Sequence, residues 1–148
     1  MGLYGPPKSI LKGVNMKFLL LFIMIFCHIV DDYYLQGILA NMKQRKWWET
    51  NAPDPMYKND YKAALLAHGF SWAFMILLPL LVFMIINGTT GVFIFGFYIP
   101  ALIYNTLMHC YIDNEKANEH SINLITDQLC HMVQIGLTYI WFYVITLI

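Results

Sequence analysis

The chain has 148 residues, of which 59% are hydrophobic and only 12% charged, a balance that fits one small domain but is rare for a soluble one. Nine Lys plus Arg offset nine Asp plus Glu, which excludes the broad basic surface that a nucleic-acid partner requires. Cys27, Cys110 and Cys130 are an odd number and all lie in apolar runs, so they read as packing residues rather than a disulfide framework.

Lys8, Lys12 and Lys17 precede the run Phe18 to Cys27 in the manner of a signal peptide. No small-residue cleavage site follows, so the segment is expected to remain as the first membrane helix. Residues 1–16 form a peripheral arm, with Met16 an alternative start. A helix needs about 20 mostly apolar residues to cross a hydrocarbon core about 30 Å thick. Four stretches meet this: Lys17 to Ile38, Ala63 to Ile86, Gly91 to Ile112, and Ile122 to Ile148. Backbone groups in lipid must be satisfied within the segment, so these stretches are helices. The expected fold is all-α, a single four-helix transmembrane bundle over residues 1–148.

Residues 39–62 join the first two helices. Lys43, Arg45, Lys46, Trp47 and Trp48 give this connection the character of a segment lying at the lipid headgroups. Asn87 to Gly91 is a turn that makes an antiparallel hairpin of the second and third helices, and Pro79 and Pro100 predict kinks. The first and third connections carry Lys43, Arg45, Lys46, Lys58, Lys62 and Lys116, against Lys8, Lys12 and Lys17 on the other side, which makes the former side cytoplasmic.

Ionisable groups inside membrane helices cost about 2.5 to 3.5 kcal/mol each at mid-span, so their positions carry information. The first helix holds His28, Asp31 and Asp32, the second His68, the third His109 and Asp113, and the fourth Asp127 and His131. With alternating helix directions, His28, Asp32, His68, His109, Asp113, Asp127 and His131 fall in one layer near one membrane face. The other half of the bundle is expected to be apolar.

His28 and Asp32, His109 and Asp113, and Asp127 and His131 are each four apart, so each pair shares a helix face, and Gln36 extends the first stripe. Asp31 is rotated off that stripe. Taken singly, an intramembrane His is a helix-to-helix hydrogen bond and a His/Asp pair needs no metal. Their concurrence in one layer points to metal, because imidazole and carboxylate are ligands of Zn²⁺ and of harder ions such as Mn or Fe. One or two divalent ions would suit so many ligands. Residues adjacent in sequence sit about 100° apart on a helix, so the three cysteines face away from this layer. His120 reads as solvated.

The ordered motifs H-x3-D-x3-Q (His28, Asp32, Gln36), His68, H-x3-D-x2-K (His109, Asp113, Lys116) and D-Q-x2-H (Asp127, Gln128, His131) resemble a family of small bacterial and phage-encoded membrane proteins of unknown function. The resemblance runs from about residue 17 onward, and Asp31 departs from it, standing where the family has a small residue. More distantly the pattern is similar to membrane-bound metal-dependent hydrolases. That implies a bacterial inner-membrane location and hydrolysis of a lipid or lipid-linked ester.

In that reading His28, Asp32, His109, Asp113, Asp127 and His131 are the ligand pool, and His68 is a further ligand or general base. Lys116 and Gln36 hold an anionic headgroup or an oxyanion. The partners are membrane lipid and a lipid-linked substrate. Two alternatives stand beside it. One is a transporter of metal ions or protons, for which a homo-oligomer could supply a path; the other is a structural protein whose metal ties the helices together.

Overall fold

The computed structural model describes residues 16–88 and 90–147. Of the expected N-terminal arm, residues 1–15, with Lys8 and Lys12, lie outside the described residues, and Met16 is the first residue of a helix.

Apolar runs make long helices here, and no strand occurs among the described residues. Helix α1 spans Met16–Val30 and continues into a π-helical turn, Asp31–Leu35, closed by the Gln36 N–H on the Asp31 carbonyl at 3.1 Å. Gly37, at φ +49°, then turns the chain back on itself. The connection expected to lie at the headgroups is itself largely helical: α2 is Leu39–Met42, α3 is Arg45–Asn51, and a 3-10 turn covers Pro55–Tyr57. Helix α4 runs unbroken over Asp60–Ile86, through Pro79.

The third apolar stretch is divided into α5 (Thr90–Phe93), a π-helical turn (Ile94–Tyr98) and α6 (Ile99–Ala117). Pro100 has no N–H for the Gly96 carbonyl, and the irregular turn is located there. Helix α7 is Leu124–Ile145, its first turn capped by the Asn123 side chain, which accepts from the Thr126 N–H at 2.9 Å.

Among the described residues, three helical stretches are long and apolar enough to cross a membrane, at Phe18–Leu35, Pro55–Ile86 and Leu124–Ile145. The third apolar stretch is not among them, and α6 carries Asp113, Glu115 and Lys116 near its end.

Helix α1 lies against α4 and α7, and α6 also lies against α4 and α7, so the four long elements close on one another. The closest approach is between α4 and α6. A Cβ on Gly69 would sit 2.5 Å from the Cys110 Sγ and 3.0 Å from the Thr106 carbonyl oxygen, so only glycine fits that crossing. Met24, Trp72, Ile76, Leu77, Leu80, Phe97, Ile135 and Phe142 fill the core beneath it. The outward faces are apolar as well: Phe18, Phe22 and Phe26 on α1, Leu66 and Phe70 on α4, Ile103 and Leu107 on α6, and Leu129, Val133 and Leu137 on α7 are exposed. Five charged residues, Asp31, Asp32, Lys43, Asp113 and Asp127, are buried among the described residues, unlike the usual pattern of a water-soluble bundle.

Candidate metal centre

The end of α1, the first half of α4, the end of α6 and the start of α7 meet at one level, and their polar side chains converge there. Asp32, His68, His109, Asp113, Asp127 and His131 are all buried. They form three overlapping groups whose donor atoms lie within 4.8 Å of one another: Asp32 with His68 and His109, His109 with Asp113 and His131, and Asp32 with Asp127 and His131.

The centre of the cluster is a set of imidazole Nε2 atoms facing carboxylates. His68 Nε2 is 3.1 Å from His109 Nε2, 3.3 Å from Asp32 Oδ1 and 3.4 Å from Asp113 Oδ2. His131 Nε2 is 3.5 Å from Asp127 Oδ1 and 3.6 Å from Asp113 Oδ1. Among the described residues, His131 Nε2 and Asp127 Oδ1 are buried with no hydrogen-bond partner. Ligand atoms about 2 Å from a shared cation stand about 3 to 4 Å from one another, which is the spacing observed.

His28 differs from the other six. The Trp72 indole N–H donates to its Nδ1 at 2.7 Å, which leaves the proton on Nε2, 3.1 Å from the Gln128 Oε1 that accepts it. With both nitrogens engaged it belongs to none of the three groups. The Gln128 amide nitrogen then donates to Asp32 Oδ2 at 2.9 Å and to Asp127 Oδ2 at 3.0 Å. Trp72, His28 and Gln128 thus form a chain that fixes the orientation of two carboxylates. Trp72 also stacks on the His109 ring at 4.3 Å, and His109 stacks on His131 at 4.2 Å.

Asp31, set aside by the helical-wheel argument, is completely buried. Its Oδ1 accepts from the Ser71 hydroxyl at 2.7 Å, and its Oδ2 stands 3.7 Å from His68 Nδ1, beyond hydrogen-bond distance. Residue i+3 faces the same side as i almost as well as i+4 does, which is why Asp31 joins the stripe of His28.

Lys43, expected among lipid headgroups, is only 7% exposed, with its Nζ 2.6 Å from Asp113 Oδ2. Lys116 reaches Asp127 Oδ2 at 2.6 Å, a contact that takes one of its three N–H donors. Burial works to lower the Lys116 pKa, and the Asp127 ion pair outweighs it, so the ammonium stays charged above its ordinary range. Gln36 also falls outside the cluster, its amide donating to the Asp32 backbone carbonyl. Cys27, Cys110 and Cys130 are free thiols outside the three groups, and His120 is exposed.

The half of the bundle beyond the cluster is not wholly apolar. Asn105, one turn before His109, accepts from the Gln134 amide at 3.0 Å and donates to the Thr138 hydroxyl at 2.9 Å, all three being buried. This second polar layer has no ionisable group to mark it in the sequence; Trp72 and Ser71 were not singled out there either, although their spacing of four and three from His68 places them on its helix face. No family model, no curated protein and no solved structure matches the chain.

Proposed function

We propose that this chain is a four-helix transmembrane protein whose His/Asp cluster binds a divalent metal, zinc foremost, and serves as a metal-dependent hydrolase of a lipid or lipid-linked ester. The apolar outward face of α6, with exposed Ile103, Leu107 and Tyr111, supports a fourth span beside the three that hydropathy identifies. In this reading the site side faces the cytoplasm, by the excess of basic residues in the first and third connections, and the membrane is the bacterial inner membrane that the sequence resemblance implies.

One observation carries the metal. Asp31, Asp32, Asp113 and Asp127 are all buried, and only two of them have a lysine partner, Asp113 with Lys43 and Asp127 with Lys116. Uncompensated charge in an apolar interior costs several kcal/mol per ion. A divalent cation would offset the two carboxylates that lack a lysine partner, and it accounts for the unpartnered His131 Nε2 and Asp127 Oδ1. When bound, such an ion lowers the pKa of its water toward about 7. Of the chain's own groups, Gln128 holds Asp32 and Asp127 by hydrogen bonds from its amide nitrogen.

The second reading, a transporter of protons or metal ions, is favoured by the Asn105, Gln134 and Thr138 layer, which continues polarity past the cluster. Elemental mass spectrometry on detergent-purified protein tests the metal, followed by a screen of lipid esters in nanodiscs. The expected result is about one equivalent of metal in wild type, lost in a folded His109→Ala, Asp127→Ala variant, with metal-dependent ester cleavage. Wild type that stays metal-free after incubation with zinc, manganese and iron would sink the hydrolase. Metal-bound protein that moves ions across liposomes and cleaves nothing would establish transport.

A further inference from the structure

Lys43 is not placed by a long helix but by a fold-back. The π turn ends α1, Gly37 reverses the chain, and α2 brings Lys43 against the end of α6. There the Asn118 side chain grips the backbone on both sides of Gln44: its amide donates to the Lys43 carbonyl at 3.1 Å, and its Oδ1 accepts from the Arg45 N–H at 2.7 Å. Arg45 adds bonds to the Tyr61 hydroxyl at 3.2 Å and to Glu119 at 3.3 Å, and these partners raise its pKa above the ordinary value. The segment is therefore pinned, and its one buried cation is aimed into the cluster.

An ammonium has three N–H donors. Among the described residues Lys43 uses one, on Asp113 Oδ2, although the side chain is almost wholly buried. Lys116 approaches from the end of α6 and uses one on Asp127 Oδ2, remaining partly exposed. The other oxygens of these two carboxylates face the same atom, His131 Nε2, at 3.6 and 3.5 Å. Two ammonium groups with spare donors thus flank the point where two of the three candidate ligand groups share His131.

We infer that Lys43, with Lys116, binds the phosphoryl group of the substrate, so that the centre acts on phosphate esters rather than carboxylic esters; this rests on the metal-centre reading above. A tetrahedral phosphoryl group presents three non-bridging oxygens, enough for a metal ion and two ammonium donors at once. An acyl ester develops charge on a single oxygen, which a metal ion and one donor already serve. A compact ammonium is a suitable phosphate partner because it acts as a point charge with rotatable donors. A lysine kept only to offset Asp113 would need no clamp on its backbone.

The test titrates inorganic phosphate, with acetate as the control anion, into zinc-loaded, desalted protein by calorimetry, with metal content measured on the same samples. Wild type should bind phosphate roughly tenfold or more tightly than acetate, and Lys43→Met should lose about that factor while keeping its metal. Lys43→Arg should retain most of the affinity. Asn118→Ala, which frees the clamp but leaves the ammonium, should fall between, and it decides the matter if Lys43→Met does not hold metal. Metal-loaded wild type that ignores phosphate, acetate binding as tight as phosphate, or affinities unchanged in Lys43→Met and Asn118→Ala would each overturn the assignment. Metal-free wild type would remove it together with the reading beneath it, and the metal measurement tells these failures apart.

Discussion

Gln128 touches no imidazole of the proposed ligand set, yet it holds three of the cluster's groups at once. Its oxygen takes the His28 proton, and its two N–H groups divide between Asp32 and Asp127. Each of its donors and its acceptor has one complementary partner, so the amide can sit only one way round. Gln128→Leu keeps similar bulk and removes all three bonds; it should weaken metal affinity by roughly 10 to 100-fold, measured by competition with a chromogenic chelator. An unchanged affinity would mean that Asp32 and Asp127 are oriented by the backbone alone. At this scale the sequence was largely legible. The i, i+4 pairs and one-layer placement name seven residues because helix periodicity converts spacing into a shared face; six of them make up the three donor groups, and His28 lies outside them. It misplaces Lys43, because nothing local distinguishes a lysine bound for a buried carboxylate from the basic residues that follow it; only the Asn118 clamp, 75 positions away from Lys43, does so.

Among the elements, the crossing of α4 and α6 sets how near His68 comes to His109. Gly69 follows His68 directly and Cys110 follows His109, so the close contact at Gly69 and the 3.1 Å approach of the two imidazoles are neighbouring consequences of one helix pair. Gly69→Ala would put its methyl 2.5 Å from Cys110 Sγ, and overpacking of this kind costs about 1 to 3 kcal/mol. Thermal unfolding in detergent should show that loss, and Gly69→Ala combined with Cys110→Ala should recover part of it. Recovery stays incomplete because the Thr106 carbonyl at 3.0 Å is backbone and cannot retreat as a side chain does. Hydropathy locates the long helices well, yet it gives no sign of the π turns at Asp31–Leu35 and Ile94–Tyr98, since one extra residue in a turn leaves composition unchanged. The helices α2 and α3 were hidden for another reason: their residues read as headgroup anchors by type, which says nothing about backbone conformation.

For the molecule as a whole, the buried cluster sits where four helices meet, so its charge balance bears on the entire fold. A ligand that binds only the folded state stabilises it by about 2.7 kcal/mol at a hundredfold excess over its dissociation constant. Zinc should therefore raise the melting temperature of the detergent-solubilised protein and a chelator should lower it, with the His109→Ala, Asp127→Ala variant indifferent to both. A melting temperature that ignores zinc and chelator alike in wild type would remove metal from the stability account. Lys43 and Lys116 already offset two of the four carboxylates, so the metal-free protein should remain folded, less stable but not collapsed.

The stacking of Trp72 on His109 gives this centre its own optical reporter. Trp72 donates to His28, lies flat on a proposed ligand ring and stands 5.4 Å from the ring of His131, whereas Trp47 and Trp48 belong to the connecting segment and Trp141 packs against Phe97. In a chain whose other three tryptophans are changed to Phe, the intrinsic emission comes from one indole in direct contact with the cluster. Cobalt or copper taken up there would quench it, and zinc would shift it without quenching. Occupancy could then be followed in intact membranes, with no label and before any substrate is known.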